Sequence, residues 1–224
     1  MAKAYLACNT FKFHTIQSYM IPIQEELFED EGSSEIKLEL KHIDFHLDFD
    51  QYLCHHDFMH KKNGRVFGKN FTYYFEPLNF YTYFKSAEDL SFIQTKTDAA
   101  LDFIKRINNT KLYNLEPVKI DFTRMYPLIT EVGGAWIADL NRAHLKTAGF
   151  FGPNVHKSEE FIDAAAEGNV SSIRMKYVSH KSKEEFSIAI SKKGTIVLYD
   201  TIETIEQELD LVEEIYQTLI KPHL

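Results

Sequence analysis

Three consecutive stretches decide the fold: Ile173-Arg174-Met175-Lys176-Tyr177, then Phe186-Ser187-Ile188-Ala189-Ile190, then Thr195-Ile196-Val197-Leu198-Tyr199. In the first two, apolar residues fall on every second position, the period of a strand with one buried face. Lys192-Lys193-Gly194 supplies a turn into the third. Next, Thr204 and Gln207 have the spacing of a helix capping box. Ile202, Ile205, Leu209, Val212, Tyr216 and Leu219 recur at steps of three and four, the helical period. Glu203, Glu206, Glu208, Asp210, Glu213 and Glu214 are expected mostly on the outer face. Residues 170–220 therefore predict a three-stranded β-meander packed on a long amphipathic helix. The class is α+β, with mostly antiparallel sheets and a few helices.

Towards the N-terminus, Ser158 before Glu159 and Glu160 marks a helix start, with Phe161, Ile162, Ala165 and Ala166 as its apolar face and Gly168 at its end. Residues 132–140 read as a strand, as do Val118, Ile120 and Phe122. Thr97 and Asp98 open a helix that carries Leu101, Ile104 and Ile107 and stops at Asn108-Asn109. Residues 90–94, 79–84, 71–76 and 65–67 read as strands, with Pro77 in a turn or at a strand end. Lys62-Asn63-Gly64 has the Asn-Gly hairpin signal. In 35–50 the apolar positions switch from even (Ile36, Leu38, Leu40) to odd (Ile43, Phe45, Leu47, Phe49), which predicts a bulge near Lys41-His42. Pro22, Ile23, Leu27 and Phe28 suggest a short helix before an acidic loop at 28–34, and residues 3–8 suggest a first strand. Two subdomains are expected: strand-rich 1–110, and α+β 111–224. No Gly/Ser linker separates them, so a single domain is the alternative.

The chain has 224 residues, 44% of them hydrophobic and 26% charged, the balance of a folded protein. Two cysteines, Cys8 and Cys54, exclude a disulfide framework and a CxxC zinc site. A reducing compartment, the cytoplasm, fits this usage. The start Met1-Ala2-Lys3-Ala4-Tyr5 lacks the apolar run of a signal peptide, and no stretch reaches the ~20 apolar residues of a membrane helix. Lysine outnumbers arginine by 20 to 5, beside 18 Phe and 12 Tyr, the coding bias of an AT-rich bacterial or phage genome.

The net charge is −8, but it is uneven: residues 1–104 carry −6, 105–199 carry +4 and 200–224 carry −6. Overall acidity disfavours indiscriminate polyanion binding, while the middle third can present a basic face. Its candidates are Arg142, His144 and Lys146 after one strand, Arg174 and Lys176 on another, and Lys181, Lys183, Lys192 and Lys193 in two hairpin turns. Gathered together, they would contact phosphate. A solvated face protected by lysine accounts for the same pattern.

A second constellation is His42-Ile43-Asp44-Phe45-His46-Leu47-Asp48-Phe49-Asp50, followed by Cys54, His55, His56 and His60. On one strand, His42, Asp44, His46, Asp48 and Asp50 would share a face; with His56 and His60 they have the chemistry to bind a divalent metal such as zinc or manganese. A polar strand face is again the plain alternative. Eight of the fourteen residues 71–84 are aromatic, suited to core, to a partner interface or to base stacking. The loop Ala148-Gly149-Phe150-Phe151-Gly152-Pro153-Asn154 offers two rings for a pocket wall or another chain, unless they tuck into the core. No GxSxG, HExxH, kinase or Walker motif occurs.

The leading expectation is a non-enzymatic protein that binds nucleic acid or an acidic protein partner through the basic middle region. The alternatives are a metal-dependent hydrolase or nuclease using 42–60, and a homo-oligomer or subunit of a larger complex.

Overall fold

The structure is a computed structural model that describes residues 2–14, 18–22, 35–125 and 131–224. Pro22, expected in the first turn of a short helix, instead ends a strand, where it pairs with Glu35; the rest of that suggested helix, 23–28, and the loop at 28–34 lie outside the described residues. The chain forms two compact units: Cys8–Glu116, and Met1–Ala7 together with Pro117–Leu224. No described helix is long and apolar enough to cross a membrane.

The N-terminal unit is an antiparallel sheet in the order β2 (Ser18–Pro22), β3 (Glu35–His46), β4 (Phe49–Val66), β5 (Lys69–Lys85), β6 (Leu90–Ile93). One helix, α1 (Thr97–Asn108), buries Ala99, Ala100, Phe103, Ile104 and Ile107. The bulge expected near Lys41-His42 appears as a register shift between Leu40 and His42. Other expectations fail for local reasons. His46 pairs with Phe49 across a two-residue turn in which Leu47 and Asp48 both have positive φ, so 42–50 is a hairpin and not one strand. Asn63-Gly64 is not a turn: the register merely shifts between Lys61 and Gly64, and the chain reverses at Phe67-Gly68. Pro77 lies inside β5, opposite Asp57. Because β6 joins β5 only from Thr82 onward, proline interrupts no ladder on that side among the described residues.

In the C-terminal unit the first half of β1 (Lys3–Lys12) pairs with β12 (Thr195–Leu198). β11 (Glu185–Ser191), β10 (Asn169–Val178), β8 (Val132–Ala138) and β9 (Ala148–Phe151) follow, all antiparallel. The segment predicted as a strand at Val118–Phe122 is irregular: Val118 N–H bonds to Ala7 O and Ile120 N–H to Lys192 O, while β7 is Asn114–Pro117 and Phe122 opens the short helix α2 (Phe122–Met125). The three apolar side chains are buried nonetheless. α3 (Glu159–Glu167) starts at Ser158, whose hydroxyl accepts from Phe161 N–H.

The C-terminal helical stretch is not one long helix. α4 (Ile205–Ile215), capped by Thr204 accepting from Gln207 N–H, passes into a π turn at Tyr216–Ile220 and a 3-10 turn at Lys221–His223. Nor do its acids all face out: Glu208, Glu213 and Glu214 are buried. The sheet face towards α4 carries Tyr5, Ile173, Met175, Tyr177, Ile188, Ile190, Ile196 and Leu198, all buried. Tyr5 and Tyr177 donate their hydroxyls to Glu208 and Glu214, which ties α4 to β1 and β10.

Candidate nucleic-acid interface

The opposite face of the C-terminal sheet follows from strand register. Arg174 pairs with Ala189 on one side and Gly134 on the other, and Gly134 pairs with Phe151. These residues form one cross-strand row, since partners project to the same side. Two residues along, Trp136 lies between Ser172 and Gly149. The glycines let a ring lie flat: Phe151 crosses Gly134 and Gly149 so closely that a Cβ on Gly149 would stand 2.9 Å from the ring. Trp136 and Phe151 meet edge to face at 5.1 Å between centroids. The Arg174 guanidinium sits 4.6 Å from the Tyr199 ring centroid, a cation–π stack. Phe151 is 66% exposed and Tyr199 39%. Phe150, one position earlier, points the other way onto Phe161, at 5.7 Å.

The nine basic candidates do not assemble into one patch. β10 and β11 run antiparallel from Val178↔Glu185 to Ser172↔Ser191. The turn with Lys181 and Lys183 is therefore at one end, and the turn with Lys192 and Lys193 at the other, roughly 20 Å away at ~3.3 Å per residue. Several cations are already engaged. Arg142 donates to Glu167 at 2.6 Å, Lys176 to Glu185 at 2.7 Å and Lys181 to Asp210 at 2.8 Å. Lys192 donates to Asn169 at 3.3 Å. His144 and Lys146 are exposed in the loop after β8. Only Arg174 and Lys176, alternating on β10, share the open face with the rings.

The metal candidates are also dispersed. Among the described residues no group of three or more His, Cys, Asp or Glu is placed to hold a metal ion. Asp44 N–H bonds to Asp50 at 3.0 Å, across the hairpin. His42 lies near Phe45 and pairs with Gln51, and His46 pairs with Phe49 at the turn. His60 bonds Glu76 at 2.7 Å and stacks on Tyr74.

His56 is fully buried, 3.0 Å from Asp102 through Nε2 and 3.5 Å from Arg106 through Nδ1. A guanidinium only donates, so Nδ1 accepts and the ring proton sits on Nε2. Burial, then Arg106, push the imidazole down to about 4 against the pull of Asp102. Burial pushes both thiols far up, Cys54 to about 12 despite its contact with Thr82, so Cys8 and Cys54 are protonated at neutral pH and poor nucleophiles.

Glu214 shows the opposite balance. Burial alone would raise its carboxyl, but the backbone of His180, the hydroxyls of Tyr177 and Ser179 and the backbone of Lys181 outweigh that and hold it below the usual carboxylate range. Lys3 and Tyr5 both donate to Glu208.

Trp136, Phe151 and Tyr199 are missing from the nine residues the sequence put forward. The usable signal was glycine: Gly134 and Gly149 on paired strands leave room for an aromatic residue, though only the register shows which one fills it. No protein-family model matches the chain, and no curated protein matches it.

Proposed function

We propose that this protein is a non-catalytic nucleic-acid-binding protein that holds single strands on the open face of its C-terminal sheet. The observation that carries the reading is the placement of Trp136, Phe151 and the Arg174–Tyr199 stack on one sheet face, with Phe151 and Tyr199 exposed among the described residues. Every base has a π-face, so exposed rings on a rigid sheet bind single strands with little sequence preference, and a stacked arginine adds charge. The opposite face cannot serve, since its aliphatic side chains form the core.

On this face stacking contributes more than charge. With Arg142, Lys176 and Lys181 held by acids, few phosphates are neutralised. The dependence of affinity on salt is then shallow, with a log–log slope of about −1 to −2. The net charge of −8 opposes long-range attraction to a polyanion, so the affinity must come chiefly from stacking on the rings.

The test is fluorescence anisotropy with a short labelled single strand. Phe151→Ala and Trp136→Ala should each weaken binding by about 1–3 kcal/mol. Arg174→Ala should weaken it and flatten the salt slope by about 0.7. Unaltered affinity in all three variants, or preference for an acidic protein over the oligonucleotide, would overturn the reading.

A further inference from the structure

The N-terminal unit carries a second feature, built on different residues. β3 accompanies β4 only as far as Ile36↔His56, and β6 meets β5 only from Thr82. Among the described residues, the segment from Asp57↔Pro77 to Val66↔Lys69 is therefore a two-stranded ribbon. At ~3.3 Å per residue it reaches roughly 30 Å.

Its charge is positive beyond its base. From Asp57 to Pro77 there are four cations, Lys61, Lys62, Arg65 and Lys69, against two acids, Asp57 and Glu76, both in the first two pairs of the ribbon, where Glu76 bonds His60. That is +2 on a chain of −8, which leaves −10 on the remainder. Such a charge distribution repels the body of the protein from a polyanion while drawing the ribbon towards it.

Its tip is equally unusual. Phe67-Gly68 forms a turn in which both residues have positive φ, 48° and 82°. Stability favours Asn-Gly there, because a bulky side chain is strained in that conformation. Phe67 is instead an aromatic ring with a relative exposure of 102%. Other rings of the ribbon have aromatic neighbours along it: Tyr74 stacks on His60 at 4.8 Å, Phe58 meets His60 edge to face at 4.8 Å, Phe71 meets Tyr74 at 6.4 Å and Tyr73 meets Phe75 at 5.7 Å. Phe67 sits beyond the last paired residues, Val66 and Lys69.

We infer that the ribbon is a probe for a groove of duplex DNA, with Lys61, Lys62, Arg65 and Lys69 along the phosphates and Phe67 at the base steps. Two paired strands fit the B-form major groove, ~12 Å wide, whereas the A-form major groove of duplex RNA is too narrow for side chains to read. An apolar residue at the leading edge of a groove binder can wedge between bases and unstack them. This inference does not depend on the single-strand reading, since it uses neither the same unit nor the same residues.

The experiment is an anisotropy titration of the whole chain with a short labelled DNA duplex across salt, using three variants. The first is Lys61→Gln/Lys62→Gln/Lys69→Gln. The second is Phe67→Asn, which suits the turn and so keeps the fold. The third is Trp136→Ala/Phe151→Ala. Duplex affinity should fall at least tenfold in the first, with a salt slope shallower by about 3. It should fall severalfold in the second and stay unchanged in the third. Unfolding curves of the first two variants that match or exceed wild type show that the loss is not a folding defect. No duplex binding at low salt, wild-type affinity in both ribbon variants, or equal competition by duplex RNA would overturn the inference. Loss of duplex binding only in the third variant would also overturn it and return all binding to the open sheet face.

Discussion

The two units bury ionisable groups in opposite ways. In the N-terminal unit His56 is stripped of water beside Arg106 and is held neutral, its Nε2 facing Asp102. In the C-terminal unit Glu214 is ringed by hydroxyl and backbone donors and is held charged. Burial disfavours charge in both cases; the number of donors aimed at the group decides which form survives. The difference is architectural. Glu214 lies where α4 meets the loop after β10, and loops and strand ends have spare N–H and O–H groups. His56 lies mid-strand, where backbone groups are committed to the ladder.

The largest effect is expected from Glu214→Ala. It would leave the Tyr177 and Ser179 hydroxyls and the His180 N–H without that acceptor and cost about 3 kcal/mol in a urea unfolding experiment. A loss below about 1 kcal/mol would mean the donors are satisfied by water, and the contrast with His56 would lapse.

Acid should separate the units next. His56 has a folded value below its unfolded one, so the unfolded chain takes up the proton first. Stability contributed by the neutral ring is present above ~6.5 and lost as pH falls towards 4, at most about 3 kcal/mol. Glu214 is also depressed, but its contribution is present above its usual carboxylate value and lost only as pH falls below that. Hydrogen exchange should therefore show α1 and β4 losing protection at a higher pH than β10 and α4. Simultaneous loss would refute the distinction.

Smaller effects test the helix ends of the C-terminal unit. Ser158→Ala and Thr204→Ala each remove one cap acceptor and should cost about 1 kcal/mol by thermal unfolding. Least of all, Phe67→Asn should stabilise the N-terminal unit by up to about 1 kcal/mol, because it relieves a strained tip without touching the core. A destabilising result would show that the exposed ring has a packing role.

What could be read from the chain divides along physical lines. Alternation in 173–177 and 186–190, the Ser158 cap and the α1 period are local, and local rules found them. The buried acids were missed because a helical wheel assigns charge to solvent, whereas Tyr5 and Tyr177 come from strands, and Ser179 from the turn after β10, all distant in sequence. Asn63-Gly64 misled for a related reason: a two-residue propensity yielded to the longer register of β4 and β5. The cations of the middle region were correctly seen as surface residues. Their grouping depended on which ends of β10 and β11 the two turns occupy, and on acids such as Glu167 and Asp210 that only the fold brings near. The rings on the open face were hidden because Phe150 and Phe151 look alike until pairing with Ala135 and Gly134 separates inside from outside.

The π turn at Tyr216–Ile220 sets the phase of the last residues. One surplus residue per wider turn rotates everything after it by roughly 100° relative to a regular α-helix, at 3.6 residues per turn. Within that turn Thr218 makes the back-bond to the carbonyl four residues earlier, Glu214, at 2.7 Å and approaches the Tyr177 hydroxyl, while Ile220 stays buried. Excising a single residue there would do modest local harm yet swing Ile220 out of the core, so the chain's tail should tolerate substitution far better than deletion.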